Sequence, residues 1–188
     1  MKIRDEKIHD SIVKATEKLF LVNGITGWNM DTVAGETGMA KNTLYKIIGS
    51  KELLIEHIVI ARLKKNIDEI VGIFRAEKDF VRAVETGARR LARNISRENP
   101  LALNRVFKEY PAIKEKFDVI SRELSTSIHS YLNGARKAGV IRNDIDNDIL
   151  VSMVTAVINH YLAGPYRGQE FENRVYTSFM YLLKGVLA

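Results

Sequence analysis

Apolar residues recur every three to four positions along most of this chain, the period that places them on one face of an α-helix. No segment alternates apolar and polar residues between turn-forming residues, so we expect no β-sheet. The three prolines, Pro100, Pro111 and Pro165, fall where one helical pattern gives way to the next. The pattern predicts an all-α protein with about nine helices, at about residues 3–22, 30–37, 41–47, 51–72, 79–96, 101–109, 112–137, 146–163 and 170–186.

The predicted helices divide the chain into three parts. Residues 1–50 form a three-helix N-terminal domain, residues 51–73 a connecting helix, and residues 74–188 a larger helical domain. Residues 73–78 are expected to be a joint. Asn23-Gly24 should end the first helix and Ser50 should cap the connecting helix. The inward side chains of the connecting helix are predicted to be Leu53, Leu54, Ile58 and Ala61.

The last two predicted helices are apolar on more than one face. A helix with apolar residues on several sides needs more than one packing partner, which favours a four-helix bundle between two copies of the chain. Val175, Phe179 and Leu183 form a stripe on the final helix and are predicted for that interface.

Residues 29–48 have the spacing of a helix-turn-helix, in which the second helix enters the major groove of DNA. Asn29 can cap the first helix, whose inner face carries Val33 and the small Ala34. Gly38 provides the turn, and Leu44 is the inner residue of the second helix.

The outward face of that second helix is polar and carries Lys41, Asn42, Thr43, Tyr45 and Lys46. Lysine attracts phosphate, asparagine can form a bidentate bond with adenine, and the hydroxyls of threonine and tyrosine can bind phosphate oxygens. These five residues are the candidate DNA contacts. Trp28, by contrast, is predicted to be an apolar residue of the domain core.

Residues 8–54 resemble the N-terminal domain of the TetR family of repressors. The matching positions are Ile8 through Phe20, the Gly24–Gly27 turn, Val33-Ala34, Gly38-Met39, Thr43-Leu44-Tyr45 and Ser50-Lys51-Glu52-Leu53-Leu54. Three positions depart from the family pattern: Ala40 replaces the usual Ser or Thr before the recognition helix, Asn42 replaces a small residue, and Ile47-Ile48 replaces an aromatic one.

The resemblance implies a ligand-responsive transcriptional repressor that binds a palindromic operator as a homodimer and is released by a small-molecule effector. Residues 74–188 would then be the ligand-binding and dimerisation domain. It also implies DNA-backbone contacts by Asn29, Thr32 and Lys51, because helix N-termini favour phosphate. The alternative is a helical small-molecule carrier or enzyme with a vestigial DNA-binding domain. The operator, the regulated genes, the effector and the direction of regulation do not follow from the resemblance.

Composition changes this picture little. The net charge is +6, yet residues 1–50 hold seven basic and six acidic side chains, so charge alone does not indicate DNA binding. The sequence has no cysteine, no leader-like segment near Met1 and no apolar run long enough to span a membrane, so we expect a cytoplasmic protein. Arg82, Arg89, Arg93 and Arg97 share a helix face, interpreted as solvated rather than as an anion site.

No catalytic, cofactor or metal signature is present in the sequence. The histidines lack metal-ligand spacing, and there is no phosphate-binding glycine loop or nucleophile motif. We therefore expect no enzyme activity, no cofactor and no metal. Aromatic and polar side chains on the helices of the larger domain are the candidate effector contacts, although such stripes more often belong to a core: Phe107, Tyr110, Phe117, Ser121 and Asn159.

Overall fold

The computed structural model describes residues 2–23, 27–97 and 100–188, and these form nine helices. Within them Ile141 and Leu187 form one isolated β-bridge, and no strand occurs. The all-α prediction is confirmed. The helices are α1 (Lys2–Asn23), α2 (Met30–Thr37), α3 (Lys41–Ile48), α4 (Lys51–Ala76), α5 (Phe80–Ser96), α6 (Pro100–Glu109), α7 (Pro111–Lys137), α8 (Asn147–Ala163) and α9 (Gly168–Val186).

Several predicted helix ends are confirmed by their hydrogen bonds. Ser50 Oγ accepts a hydrogen bond from the backbone N–H of Leu53 at 3.1 Å, which caps α4. Gly38 ends α2 in the left-handed conformation, with φ of 66°. Helix α1 ends at Asn23, and the glycine predicted to stop it, Gly24, lies outside the described residues.

Helix α4 is longer than the sequence pattern predicts. A joint is expected at residues 73–78 from the sequence, and this is wrong for residues 73–76, which continue the helix. Only residues 77–79 are non-helical before α5. The Phe74 ring stacks on Tyr131 with centroids 4.6 Å apart. Such a contact stabilises the helical turn beyond Gly72, the residue at which the apolar pattern predicts the end of the helix.

By its internal contacts the chain divides into two compact units. Unit 1 comprises Met1–Leu63 with Asn99–Phe117, and unit 2 comprises Lys64–Glu98 with Asp118–Ala188. These boundaries differ from the sequence-based ones: they fall within α4 and within α7, and they group residues 99–117 with the N-terminal helices. Amphipathic periodicity identifies the inward face of α6 but not the core to which that face belongs.

The core of unit 1 joins α1–α4 with α6 and the start of α7. Its fully buried residues are Ile12, Val33, Leu44, Leu54, Ile55, Ile58, Val106 and Ile113. Trp28 is only 3% exposed, which confirms its place in the core. Two predicted inward residues of α4 are wrong: Leu53 is 53% exposed and Ala61 is exposed, whereas the neighbours of Leu54 and Ile58, Ile55 and Val59, are buried instead.

Unit 2 buries the stripe of α9 that the sequence assigned to a dimer interface. Val175 and Phe179 pack with Ala88 and Ala92 of α5, and Leu183 packs in a neighbouring cluster. Their exposed fractions are at most 8%, so the predicted role of this stripe between subunits is wrong. The small side chains of α5 let α9 approach closely, and a pattern of apolar positions alone does not reveal that match.

Helix α8 of unit 2 is the least buried apolar helix. None of its residues is buried, and Ile149 and Met153 are 62% and 47% exposed. On α9, Tyr181 is 70% exposed. An isolated chain therefore leaves apolar surface on both of its last two helices.

Candidate nucleic-acid interface

Both ends of α2 are formed by residues predicted for a helix-turn-helix. Asn29 Oδ1 accepts hydrogen bonds from the backbone N–H groups of Asp31 and Thr32, each at 2.9 Å. Thr32 Oγ1 accepts from the Asn29 backbone N–H at 3.4 Å, which completes a reciprocal cap. At the other end, Met39 N–H donates to the Ala34 carbonyl at 3.1 Å as the chain turns towards α3.

The core of unit 1 determines which face of α3 is outward. Leu44 is fully buried and Ile48 is 7% exposed, while Ile47 is half-buried. Because these three residues face the core, the opposite side of the helix faces solvent. It carries the five candidate DNA contacts, all exposed: Lys41, Asn42, Thr43, Tyr45 and Lys46.

Four of these side chains have no partner in the described part of the chain. Asn42, Thr43 and Lys46 make no side-chain hydrogen bond or ion pair there, and the Tyr45 hydroxyl is equally free. Tyr45 is 40% exposed. A row of unpartnered donors on one short helix can bind phosphates and base edges without first breaking an internal contact.

Lys41 differs from its neighbours because it already has a partner. Its Nζ lies 2.9 Å from Oδ2 of Asp31 in the first turn of α2. The hydrogen bond to Asp31 raises the pKa of Lys41, against a smaller opposing effect of burial. The pair ties the start of α3 to the start of α2 and partly neutralises the cation.

The start of α3 has no side-chain cap. Ala40 has the extended conformation of a capping residue, with φ of −65° and ψ of 139°, but offers no side-chain acceptor. No acidic residue lies in the first turn of α3. The free backbone N–H groups at this end of α3 therefore have no carboxylate of the same helix to accept their hydrogen bonds.

The three residues assigned to DNA-backbone contacts take part in contacts within unit 1. Asn29 and Thr32 cap α2 as described. Lys51 is half-buried, with Nζ 3.3 Å from the Trp28 carbonyl oxygen and 4.8 Å from the centre of the Trp28 ring. Each of the three would therefore share or exchange an internal partner on binding DNA.

The five candidate effector residues are divided between the two units. Phe107, Tyr110 and Phe117 pack against the core of unit 1, with the two phenylalanine rings 5.0 Å apart. Burial, followed by a hydrogen bond with Glu109, raises the pKa of Tyr110 to about 12. Ser121 is half-buried in unit 2 and Asn159 is exposed on α8.

Two cavities lie among the described residues of unit 2, and none of those five residues lines either one. An open cleft of about 530 Å³ lies among α4, α5 and α7. A more enclosed cavity of about 150 Å³ lies among α4, α5, α7, α8 and α9. Their lining residues are aliphatic and aromatic positions that the sequence pattern identifies only as core.

The row of arginines on α5 is exposed, as interpreted from the sequence, and two of its members contact α9. The Arg89 guanidinium stacks on the Tyr176 ring at 3.7 Å, and Arg93 Nε lies 3.9 Å from Glu172. In the described residues there is no cluster of His, Cys, Asp and Glu that could hold a metal ion. Nor does any described helix have the length and apolarity needed to cross a membrane.

Comparison of whole folds relates the chain to one class of protein. No protein-family model and no curated protein matches the sequence. The structure is similar to a TetR transcription regulator from Haloarcula marismortui, with a TM-score of 0.80, 16% identity, and coverage of 97% of this chain and 100% of the other. The TetR-family regulator PfmR from Thermus thermophilus has a TM-score of 0.71 at 20% identity, covering 92% and 97%.

A TetR-family regulator from Marinobacter aquaeolei is a third match, with a TM-score of 0.64 at 18% identity over 100% of this chain and 99% of the other. The likeness extends over residues 74–188 as well as over the helix-turn-helix domain. The chain therefore has the fold of TetR-family transcriptional regulators.

Proposed function

We propose that this protein is a TetR-type transcriptional regulator that binds a palindromic DNA operator as a homodimer and is released by a small-molecule effector. The observation that carries the proposal is the outward face of α3, where four polar side chains have no partner in the described residues. Lys41 and Lys46 would bind phosphates, Asn42 would read a base edge, and Thr43 and Tyr45 would donate to phosphate oxygens. Asn29, Thr32 and Lys51 would approach the adjacent backbone.

Two features of unit 2 support the remaining parts of the proposal. The apolar surface left exposed by α8, at Ile149 and Met153, suits a second copy of the chain. The two cavities provide space for an effector within the body. A switchable repressor requires three components: side chains that contact DNA, a surface that pairs with a second copy of the chain, and a site for the effector.

The experiment uses Tyr45, whose hydroxyl can be removed without changing the ring. Tyr45→Phe should weaken binding to DNA from the region upstream of its own gene by about thirtyfold, the equivalent of about 1 kcal/mol for each of the two hydrogen bonds that a dimer would lose. Fluorescence anisotropy at several salt concentrations gives the affinity, and wild-type binding should weaken steeply as salt rises. The matched control is Tyr181→Phe, an exposed tyrosine on α9, which should bind DNA as the wild type does.

Normal DNA binding by Tyr45→Phe together with a lower melting temperature would make Tyr45 a packing residue instead. A wild-type chain that binds no DNA at low salt, yet binds small apolar ligands, would support the alternative of a carrier or enzyme with a vestigial DNA-binding domain.

A further inference from the structure

The two cavities of unit 2 share a wall, and their linings differ in polarity. We infer that the effector is an aliphatic carboxylate, with the end of its alkyl chain in the enclosed cavity and the rest of the molecule in the open cleft, where its carboxylate lies beside Arg75 and Lys78. This inference rests on the proposed regulatory function for its biological meaning, but the binding it describes can be measured without DNA.

The enclosed cavity selects against polar groups. Ile70 of α4, Leu91 of α5, Ile128 of α7 and Val154 of α8 are typical of its lining. Among the described residues that line it, Tyr131 alone has a polar side-chain atom. A buried polar ligand group would find no side-chain hydrogen-bond partner there other than the Tyr131 hydroxyl and would lose its hydration, so the occupant of this cavity is hydrocarbon.

The open cleft has the opposite character. Its polar lining residues include two cations, Arg75 and Lys78, together with Ser130 and the carboxylate of Glu77. Neither cation makes an ion pair or a hydrogen bond within the described part of the chain. Glu77 Oε1, in contrast, accepts a hydrogen bond from the Asp79 backbone N–H at 3.0 Å. With two cations against one carboxylate the lining of the cleft has a net positive charge, and neither cation is paired with a side chain, so an anionic head group can bind there.

The shared wall is a stack of three aromatic rings. Tyr131 of α7 lies between Phe74 and Phe80, with ring centroids 4.6 and 5.5 Å away, and all three residues line both cavities. Gly87 of α5 makes room for this stack, because a Cβ atom there would lie 3.1 Å from the Phe74 ring. A ligand that occupies both cavities must pass this wall, and a linear alkyl chain is the narrowest hydrocarbon that can do so after a side-chain rotation.

Tyr131 also contributes to the polarity of the boundary. Burial, with smaller effects from Asp79 and Glu77, raises the pKa of the Tyr131 hydroxyl. The hydroxyl therefore stays protonated at neutral pH and can donate to a carboxylate held between Arg75 and Lys78.

The test compares ligands that differ only in the head group or only in the tail. Isothermal titration calorimetry of the wild-type protein without DNA, below the micelle concentration, should detect one laurate per chain. Dodecanol, which keeps the tail but lacks the charge, should bind at least about tenfold more weakly, and butyrate should not bind. Equal affinity for laurate and dodecanol, or no binding of laurate, would overturn the inference.

A pair of double variants locates the head group. The double variant with Arg75→Gln and Lys78→Gln should have an affinity for laurate that is lower by about tenfold or more, and its affinity for dodecanol should be unchanged. Arg82→Gln with Lys137→Gln is the control, since both are exposed cations of unit 2, on α5 and α7, and line neither cavity. Unchanged laurate affinity in the first variant would place the carboxylate elsewhere and contradict the inference.

Addition of laurate to a protein–DNA complex separates this inference from the proposed function. Release of DNA supports both. Laurate binding without any DNA binding by the wild type would keep the ligand site and refute the regulator.

Discussion

The charge of Lys41 has two possible partners, Asp31 within the N-terminal domain and a phosphate of the proposed DNA operator. Its ion pair with Asp31 is exposed, with side-chain exposed fractions of 46% and 67%. An exposed pair of this kind stabilises a protein by no more than about 1 kcal/mol. Phosphate could therefore replace Asp31 at little cost, but the Asp31 carboxylate would stay close to bound DNA and repel it.

Replacing Asp31 should consequently strengthen DNA binding. Asp31→Asn removes the competing charge while keeping the shape of the side chain, and operator affinity should rise by up to about fivefold at low salt, with a smaller gain as salt increases. The melting temperature should fall slightly, because a carboxylate in the first turn of α2 interacts favourably with the helix dipole. Fluorescence anisotropy and thermal unfolding measure the two effects.

Asp144→Asn is the matched control for that prediction. Asp144 is also exposed and is paired with Arg142 in unit 2, where the Arg142 guanidinium lowers the pKa of its carboxyl. This variant should leave DNA affinity unchanged. Weaker DNA binding by Asp31→Asn would show that the ion pair orients α3 rather than competing with DNA.

At the scale of helices, the sequence predicts each element but not every surface it buries. Caps and turns follow from local chemistry, so Asn29, Gly38 and Ser50 act as expected. The burial of Val175 and Phe179 depends on small residues of α5 distant in sequence, and Leu183 is buried in a separate cluster with Phe80 and Leu132. Leu53 is likewise apolar and placed on the expected stripe, yet it is exposed.

The two neighbouring helices α3 and α4 offer a direct comparison of capping. Ala40→Ser should add the missing side-chain acceptor to α3 and raise the free energy of unfolding of unit 1 by about 1 kcal/mol, while Ser50→Ala should remove the cap of α4 and lower it by a similar amount. Urea unfolding followed by the fluorescence of Trp28, which is the only tryptophan and is buried in unit 1, reports both changes. A destabilising Ala40→Ser would mean that the start of α3 cannot accept a cap.

At the scale of the whole molecule, the sequence predicts an all-helical regulator but not the lining of its cavities. Phe107, Tyr110 and Phe117 combine aromatic walls with a polar handle, as a ligand site would, yet they pack in unit 1. The cavity-lining residues of unit 2, such as Leu91 and Val154, have no chemical feature that separates them from ordinary core positions. Cavities arise where packing is incomplete, which is a property of the assembled fold.

The dimer prediction keeps the last two helices, but its key residues move from the buried stripe of α9 to the exposed residues of α8, Ile149 and Met153. Light scattering of the wild type should give about twice the chain mass of 21.3 kDa. Met153→Asp places a charge on the proposed interface and should shift the protein towards monomer, because an unpaired buried charge costs several kcal/mol. Val119→Asp is the control, since Val119 is an exposed apolar residue of α7 with a similar exposed fraction of 48%.

Circular dichroism should show unchanged helix content in both variants, because both side chains are exposed in the single chain. A wild-type monomer at micromolar concentration, or a dimer that persists in Met153→Asp, would contradict the proposed interface.

The most direct test of the central claim is selection of bound sequences from a pool of random double-stranded DNA. The wild type should enrich an inverted repeat whose half-site centres lie about 34–36 Å apart, or a multiple of that distance, because two α3 helices related by a two-fold axis would enter major grooves on one side of the duplex. A variant with Asn42→Ala and Tyr45→Phe should lose that enrichment while keeping its helix content. Failure of the wild type to enrich any sequence, or the same enrichment by the α3 variant, would contradict the account.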